Sequence, residues 1–278
     1  MYIFSTLPQI IHNDAVSPLL AFGRYLKWQY CRLFRRFPRI ANLTPDSKLL
    51  LERPSGVGAL VMTFGMYDFN NMTMIRSLLR DDSDLVFFDV GANIGTYTLV
   101  AAETGAQVIS FEPHPTTFKD LEQNVALNER SNVVLNNSAV ADHDGFVTFT
   151  NYHEHALNRI DPAGGLEVPC LQLAAVFEQV QPEKAIVKVD VEGAELLVMK
   201  GLQGYYDRCS VLIIERGGWF AEDHEFCGDN QFAGPFYFHA EKSAFFTEAR
   251  RRAEDEVYIH VDYLPELERL GYEVRYAH

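Results

Sequence analysis

The chain has 278 residues, 47% of them hydrophobic and 22% charged, with a formal net charge of −14. That composition excludes wholesale disorder and allows one large α/β domain, or a core domain with an arm. So acidic a chain has little to offer nucleic acid, whose phosphates need a concentrated basic face.

The one such concentration lies near the N-terminus. Between residues 16 and 45 there are six basic side chains (Arg24, Lys27, Arg32, Arg35, Arg36, Arg39) and no acidic one. GRYLKWQYCRLFRRFPRI reads as a helical arm that Pro38 ends. Peripheral contact with an anionic membrane is one use of such an arm. The reading preferred here packs its aromatic residues on its own domain and leaves its arginines in water. The arm is expected to occupy residues 1–59. No apolar run reaches membrane-spanning length, and the first residues lack a basic stretch followed by a sustained apolar one. The four cysteines are scattered without a CxxC pair, so reduced thiols and a cytoplasmic location are expected.

From about residue 60 to the end, short apolar runs alternate with helical periodicity. This pattern predicts a doubly wound, mostly parallel α/β sheet. The expected strands are LVFFDV (85–90), AQVISFE (106–112), NVVLNN (132–137), AIVKVD (185–190) and VLIIE (211–215), nearly continuous in hydrophobicity as strands covered on both faces should be. Phe118, Leu121 and Val125 predict a helix after Pro115, and Leu196, Leu197 and Lys200 another that Gly201 would cap. Two stretches break the rhythm: an insertion near 143–169, opening on Asp144-Gly145, and an aromatic one near 217–250 that contains Trp219. The latter could form an acceptor pocket or bury its rings in a homodimer interface. LPELERLGYEVRYAH predicts a helix, a turn at Gly271 and a last strand. A seventh strand would have to come from VYIHV (257–261), out of sequence order.

At the end of the first strand, Asp89 is followed by Gly91, Asn93 and Gly95 and then a helix, so backbone can approach a ligand where helix N-terminal amides point outward. Glu112 ends the next strand, about twenty residues after Gly91, where a carboxylate can accept both hydroxyls of a ribose. An adenosine compound fits. A nicotinamide dinucleotide, and with it an oxidoreductase, would also use the acid, but GxNxG lacks the third glycine of the GxGxxG loop. Asp89 would repel a pyrophosphate and attract the cationic methionine end of S-adenosylmethionine (SAM).

These residues resemble the FkbM-type SAM-dependent methyltransferases. FFDVGANIGTYTL is similar to that family's first motif, FEPHPTTFKDLEQNVALN to its second and IVKVDVEGAELLVMKG to its IKxDVEGxE motif, over residues 60–216. The resemblance implies a Rossmann-like class I methyltransferase fold, SAM as donor, and O-methylation of a hydroxyl on a sugar, polyketide or other small metabolite. It implies that Asp89, Gly91, Ala92, Asn93 and Gly95 hold the methionine part, Glu112 with Pro113 the ribose, and Asn137 and Ser138 the adenine. A non-catalytic SAM-binding module is the alternative.

In KVDVEGAE, Lys188 and Asp190 project to one face of a strand, which sets Asp190 beside the donor. Asp190 is the first candidate for the base or for orienting the hydroxyl, and Glu192 the second. Glu195 is expected to cap the following helix. His153, His155 and Arg159 on the first insertion, with Glu215 and Trp219 after the last parallel strand, are the candidate acceptor contacts. No ligand spacing requires a metal, and none is expected.

Overall fold

In the computed structural model, residues 9–11, 13, 15–152, 158–215, 221–248 and 255–276 are described. Pro18, at a position where a missing N–H costs nothing, opens helix α1 (Pro18–Leu33). Ala21, Tyr25, Trp28 and Cys31 recur at three- and four-residue spacing and are buried. That face packs on helix α2 (Gly56–Phe64) through Ala59 and Phe64. Arg32 lies 5.2 Å from the centroid of the Trp28 ring. Between the helices, β1 (Arg39–Asn42) and β2 (Lys48–Leu51) form an antiparallel hairpin that the sequence did not predict. Leu49 and Leu51 of the hairpin enter the main hydrophobic core.

After helix α3 (Phe69–Asp81), the predicted strands follow in order. These are β3 (Leu85–Val90), β4 (Val108–Phe111) and β5 (Val133–Asn136), connected by α4 (Thr96–Ala102) and α5 (Pro115–Leu127). They pair in parallel, Phe87 opposite Val108 and Val108 opposite Val133. The first insertion forms its own three-stranded sheet from β6 (Ala139–Val140), β7 (Gly145–Phe149) and β8 (Leu166–Leu171). The chain returns through α6 (Leu173–Val180) to β9 (Lys184–Val189), α7 (Glu195–Lys200) and β10 (Cys209–Ile214). Strand β9 lies against β3, so the order reverses between them, and a crevice opens beyond their C-terminal ends.

The aromatic stretch is where the structure corrects the sequence reading. Past α8 (Ala221–Asp229), the segment expected as an insertion that forms an acceptor pocket or a homodimer interface supplies two sheet strands, β11 (Phe232–His239) and β12 (Ala244–Phe246), and Tyr237 and Phe238 of β11 line a cavity. Phe232, Phe236, Tyr237 and Phe238 are buried. Strand β13 (Glu256–His260), which contains most of VYIHV, inserts antiparallel between β10 and β11, with Val211 opposite Ile259. The missing strand does come out of order. Helix α9 (Leu264–Arg269) and edge strand β14 (Glu273–Arg275) complete a nine-stranded sheet, β14-β12-β11-β13-β10-β9-β3-β4-β5.

Gly201 follows α7 with φ −67°, so a left-handed cap is not its reason. A Cβ there would lie 2.0 Å from the carbonyl oxygen of Ala141, and the Gly201 carbonyl accepts from Ala174 N at 2.8 Å. Backbone has to move to admit a methyl group. Gly201→Ala is expected to lower stability by roughly 3 kcal/mol, read as a shift of the urea midpoint with an unchanged slope.

Candidate active site

The loop after β3 is shaped by three positive-φ residues: Gly91 (84°), Asn93 (51°) and Gly95 (93°). At Gly91 a Cβ would stand 1.8 Å from the Asp190 carbonyl oxygen, so only glycine lets the ends of β3 and β9 meet. Asn93 tolerates its conformation because its own Oδ1 accepts from Ile94 N at 2.8 Å. The non-glycine residue in the turn is thus locally satisfied.

Glu112 closes the loop from below. Its carboxylate accepts from Asn93 N at 3.0 Å and from His114 N at 2.8 Å. Burial pushes its pKa up to about 7 against those two hydrogen bonds. Asp89 is fully buried; one oxygen accepts from the Thr98 hydroxyl at 2.6 Å, and the other, Oδ1, has no hydrogen-bond partner among the described residues. Ser138 Oγ is also buried without a partner. Asp89, Glu112 and Ser138 line one cavity of about 330 Å³, together with Gly91, Ala92, Asn93 and Pro113.

The far wall of that cavity carries the KVDVEG segment. Lys188, 1% exposed, donates to Asp190 Oδ2 at 2.8 Å and lies 4.5 Å from the Tyr97 ring centroid. Burial opposes the ammonium charge, yet Asp190, Asp89 and Asp255 together raise its pKa. Burial likewise pushes Asp190 up, but Lys188 outweighs it and holds the carboxyl below its ordinary range. Glu192 sits at φ 55°, in the left-handed region that strains a residue with a long side chain. Burial, then the charges of Asp190 and Glu195, bring its pKa to about 7. Burial, then Asp190 and Glu192, bring Glu215 to about 9. Asp190, Glu192 and Glu215 each offer an oxygen within 4.8 Å of the others, a spacing that suits a shared proton or a divalent cation.

A second cavity, of about 480 Å³, adjoins the first. Leu60, Tyr67, Tyr97, Asp190 and Glu215 line both. Its own walls bring Asp68, Asn70 and Asn71 from the start of α3, Tyr237 from β11 and Asp255 from just before β13. Tyr97 donates its hydroxyl to Asp68, and Asn71 donates to the same carboxylate at 3.0 Å. Burial and the neighbouring Asp68 raise Asp255 well above the carboxylate range. Burial thus keeps several of the carboxyls around Lys188 protonated, while Asp190 stays ionised against it.

Of the residues the sequence nominated, the fold brings Asp89, Gly91, Ala92, Asn93, Glu112, Pro113, Ser138, Asp190, Glu192 and Glu215 to the first cavity. Gly95 starts α4, where its bare Cα leaves room for Leu121. Asn137 does not join them. Its amide donates to the carbonyls of Glu112 and Pro113, at 2.8 and 3.1 Å, so it braces the loop behind the carboxylate. Arg159 is exposed, does not line either cavity, and acts on Glu192 by its charge. Glu195, expected as a cap, accepts from Gly193 N at 3.0 Å, an amide ahead of α7, while the helix's N-cap position is Ala194 with no side-chain cap. His153, His155 and Trp219 lie outside the described residues. Sequence reasoning missed Asp68, Tyr67, Tyr97 and Asp255. Asp68 carries a helix-start signal that gave no hint of a cleft.

Comparison with known proteins gives a match to the family model described as Methyltransferase FkbM domain, over residues 89–274. Hexuronic acid methyltransferase AglP of Haloferax volcanii is 30% identical over 148 residues, which cover 51% of this chain and 60% of that protein. Methyltransferase 1 of Beauveria bassiana is 28% identical over 163 residues, covering 49% and 65%. The chain therefore spans less than two thirds of the length of these relatives. Among solved structures, the ribosomal protein L11 methylase of Lactobacillus delbrueckii subsp. bulgaricus matches with a TM-score of 0.40 at 12% identity, over 79% of this chain and 96% of that one.

Proposed function

Because the chain belongs to the FkbM methyltransferase family, whose model it matches over more than half its length, we propose that it moves a methyl group from SAM to a hydroxyl of a small metabolite or glycan. The fold is the Rossmann-like class I methyltransferase fold. The observation that carries the reading is the pair of cavities that share Asp190 and Glu215 in one wall, the first ringed by the Gly91–Gly95 loop and two buried carboxylates. One cavity suits a donor and the other an acceptor.

The donor residues fit SAM on two counts. Asp89 Oδ1 is buried and unpartnered, which is costly for a carboxylate unless a cationic group or donor meets it. Glu112 has two backbone donors and still keeps lone pairs for the vicinal hydroxyls of a ribose. Asp89 and the glycine loop would hold the methionine part, Glu112 the ribose, and Ser138 the adenine side. When bound, SAM supplies an electrophilic methyl group on a sulfonium.

The chain's own task is then to hold a hydroxyl in line and accept its proton. Asp190 is ionised and tied to Lys188, which suits it to orient a hydroxyl by accepting a hydrogen bond. Glu192, with its pKa near 7, is better matched to taking the proton, because a base works best when its pKa lies close to the working pH. The order of the two candidates is thereby reversed from the sequence reading. Tyr67, Asp68, Asn71 and Asp255 offer acceptors, amides and ring faces for a polyhydroxylated acceptor. Four buried free thiols fit a reducing compartment such as the cytoplasm.

Calorimetric titration with SAM, followed by S-adenosylhomocysteine release over a panel of neutral sugars, uronates and polyketide alcohols, tests the reading. Saturable SAM binding with turnover on a hydroxylated acceptor is expected. Binding without turnover on any acceptor would favour a SAM-binding module, and NAD binding without SAM binding would overturn the assignment.

A further inference from the structure

The arm was expected to bury its aromatic residues on its own domain, and α1 does so on one face only. Leu19, Phe22, Leu26, Tyr30 and Leu33 recur at three- and four-residue spacing along the other face, and all are exposed, Leu19 at 84% and Leu33 at 76%. Phe34, at 58%, extends the stripe beyond the last turn. A helix of 16 residues is about 24 Å long, so the stripe is a continuous apolar strip rather than scattered single residues.

Charge selects what covers it. Lys27 is exposed at the edge of the stripe, and Arg35 and Arg36 are exposed beside its C-terminal end, in a segment with six basic residues and no acidic one. The chain as a whole carries −14 while this segment carries +6, so an anionic surface is drawn to the arm. Two copies of the chain meeting arm to arm would bring like charges together. No described helix is long and apolar enough to cross a membrane, and a helix with an exposed apolar strip beside basic side chains lies in a bilayer interface instead. We propose that α1 docks this protein on the surface of an anionic lipid bilayer, with Leu19, Phe22, Leu26, Tyr30 and Leu33 inserted between headgroups and Lys27, Arg35 and Arg36 among the lipid phosphates.

The inference is independent of the methyl-transfer reading, for it uses neither cavity. The arm nonetheless reaches the second cavity, since Gln9 and Asn13 line its wall.

Flotation of the full chain with vesicles tests it. Vesicles of phosphatidylcholine with roughly a third of phosphatidylglycerol are expected to carry the protein, and pure phosphatidylcholine vesicles to carry little, with binding weakened by salt. Phe22→Glu with Leu26→Glu is expected to abolish flotation. Lys27→Gln with Arg36→Gln touches no core residue and is expected to weaken binding on the order of thirty-fold, from two basic contacts. It keeps the test readable should the double glutamate chain melt early. Equal flotation on both vesicle types, or none on either, overturns the proposal. So does a dimer in sedimentation equilibrium that Phe22→Glu with Leu26→Glu dissolves, because a second copy would then be what covers the stripe.

Discussion

Glu112→Ala is expected to weaken SAM binding by a factor of 10² or more while the chain remains folded. In the proposed complex the carboxylate accepts two ribose hydroxyls, and hydrogen bonds to a charged group contribute about 1.5–3 kcal/mol each. The same carboxylate orders the loop that would carry the donor, through Asn93 N at 3.0 Å and His114 N at 2.8 Å. Its removal therefore acts twice: on the ribose contact, and on the pre-organisation of the Gly91–Gly95 turn. Glu112→Gln separates the two effects only in part, because a carboxamide presents an N–H to one of those backbone donors. Proton linkage adds an independent signature. Burial leaves Glu112 with a pKa of about 7, and an acceptor of hydroxyl donors must be ionised, so SAM affinity should fall with decreasing pH below about 7, approaching tenfold per unit. Calorimetric titration across that range checks both points. SAM affinity that ignores pH and survives Glu112→Ala would remove this carboxylate from the donor site.

What the sequence disclosed, and what it hid, follows from how local each feature is. Strand β3 coincides with its predicted run because LVFFDV is apolar at every position but Asp89 and is covered on both faces. The family resemblance singled out the Gly91–Gly95 loop for the same reason, since its glycines and the two carboxylates sit at fixed distances along one strand-helix-strand unit. Strand β11 was hidden by Gly234 and Pro235, which punctuate FAGPFYFH as a loop. In the sheet they sit at a register shift between Ala233 and Phe236, where the ladder tolerates a proline. The hairpin β1-β2 was hidden by shortness, with four residues in each strand. Lys48 N and Leu50 N are held by the side chains of Asn128 and Asn124, partners from α5 that no local pattern could reveal.

The second cavity was the least legible for a related reason. Asp68 precedes α3, Tyr97 lies on α4, Glu215 follows β10 and Asp255 precedes β13, and only the sheet's reversed order brings these four ends together. No spacing in the chain encodes that meeting. The charge balance of the cleft is also a tertiary property: Lys188 is drawn upward by three separate carboxylates, of which only Asp190 is its neighbour in sequence. A reading limited to KVDVEGAE ranks Asp190 first as a base because it is the closest acid to the strand end. With the fold in view, the ion pair to Lys188 holds the Asp190 carboxyl below its ordinary range, and the proton is therefore proposed to go to Glu192.

Glu192→Gln is accordingly expected to lower kcat by 10²- to 10⁴-fold, the range a positioned base contributes, with SAM affinity nearly unchanged. Glutamine keeps the volume and the left-handed turn at φ 55°, so a loss can be assigned to proton transfer rather than to the backbone. The wild-type profile supplies the sign. With its pKa at about 7, Glu192 holds its proton on the acid side, so kcat should rise with pH up to about 7 and level off above it. Measured at saturating SAM, that limb belongs to Glu192 and not to Glu112, whose ionisation acts on donor affinity. In Glu192→Gln the acid limb should vanish along with most of the rate. Asp190→Asn makes the contrasting variant: it removes the 2.8 Å partner of Lys188 and disturbs orientation, so it should lower kcat and raise the acceptor KM while the acid limb persists, moved to lower pH by the loss of the Asp190 charge. A glutamine variant that keeps full kcat and the wild-type pH profile would return the proton to another group of the cleft, with Glu215, held near 9 by burial and its acidic neighbours, too basic to produce a limb at 7.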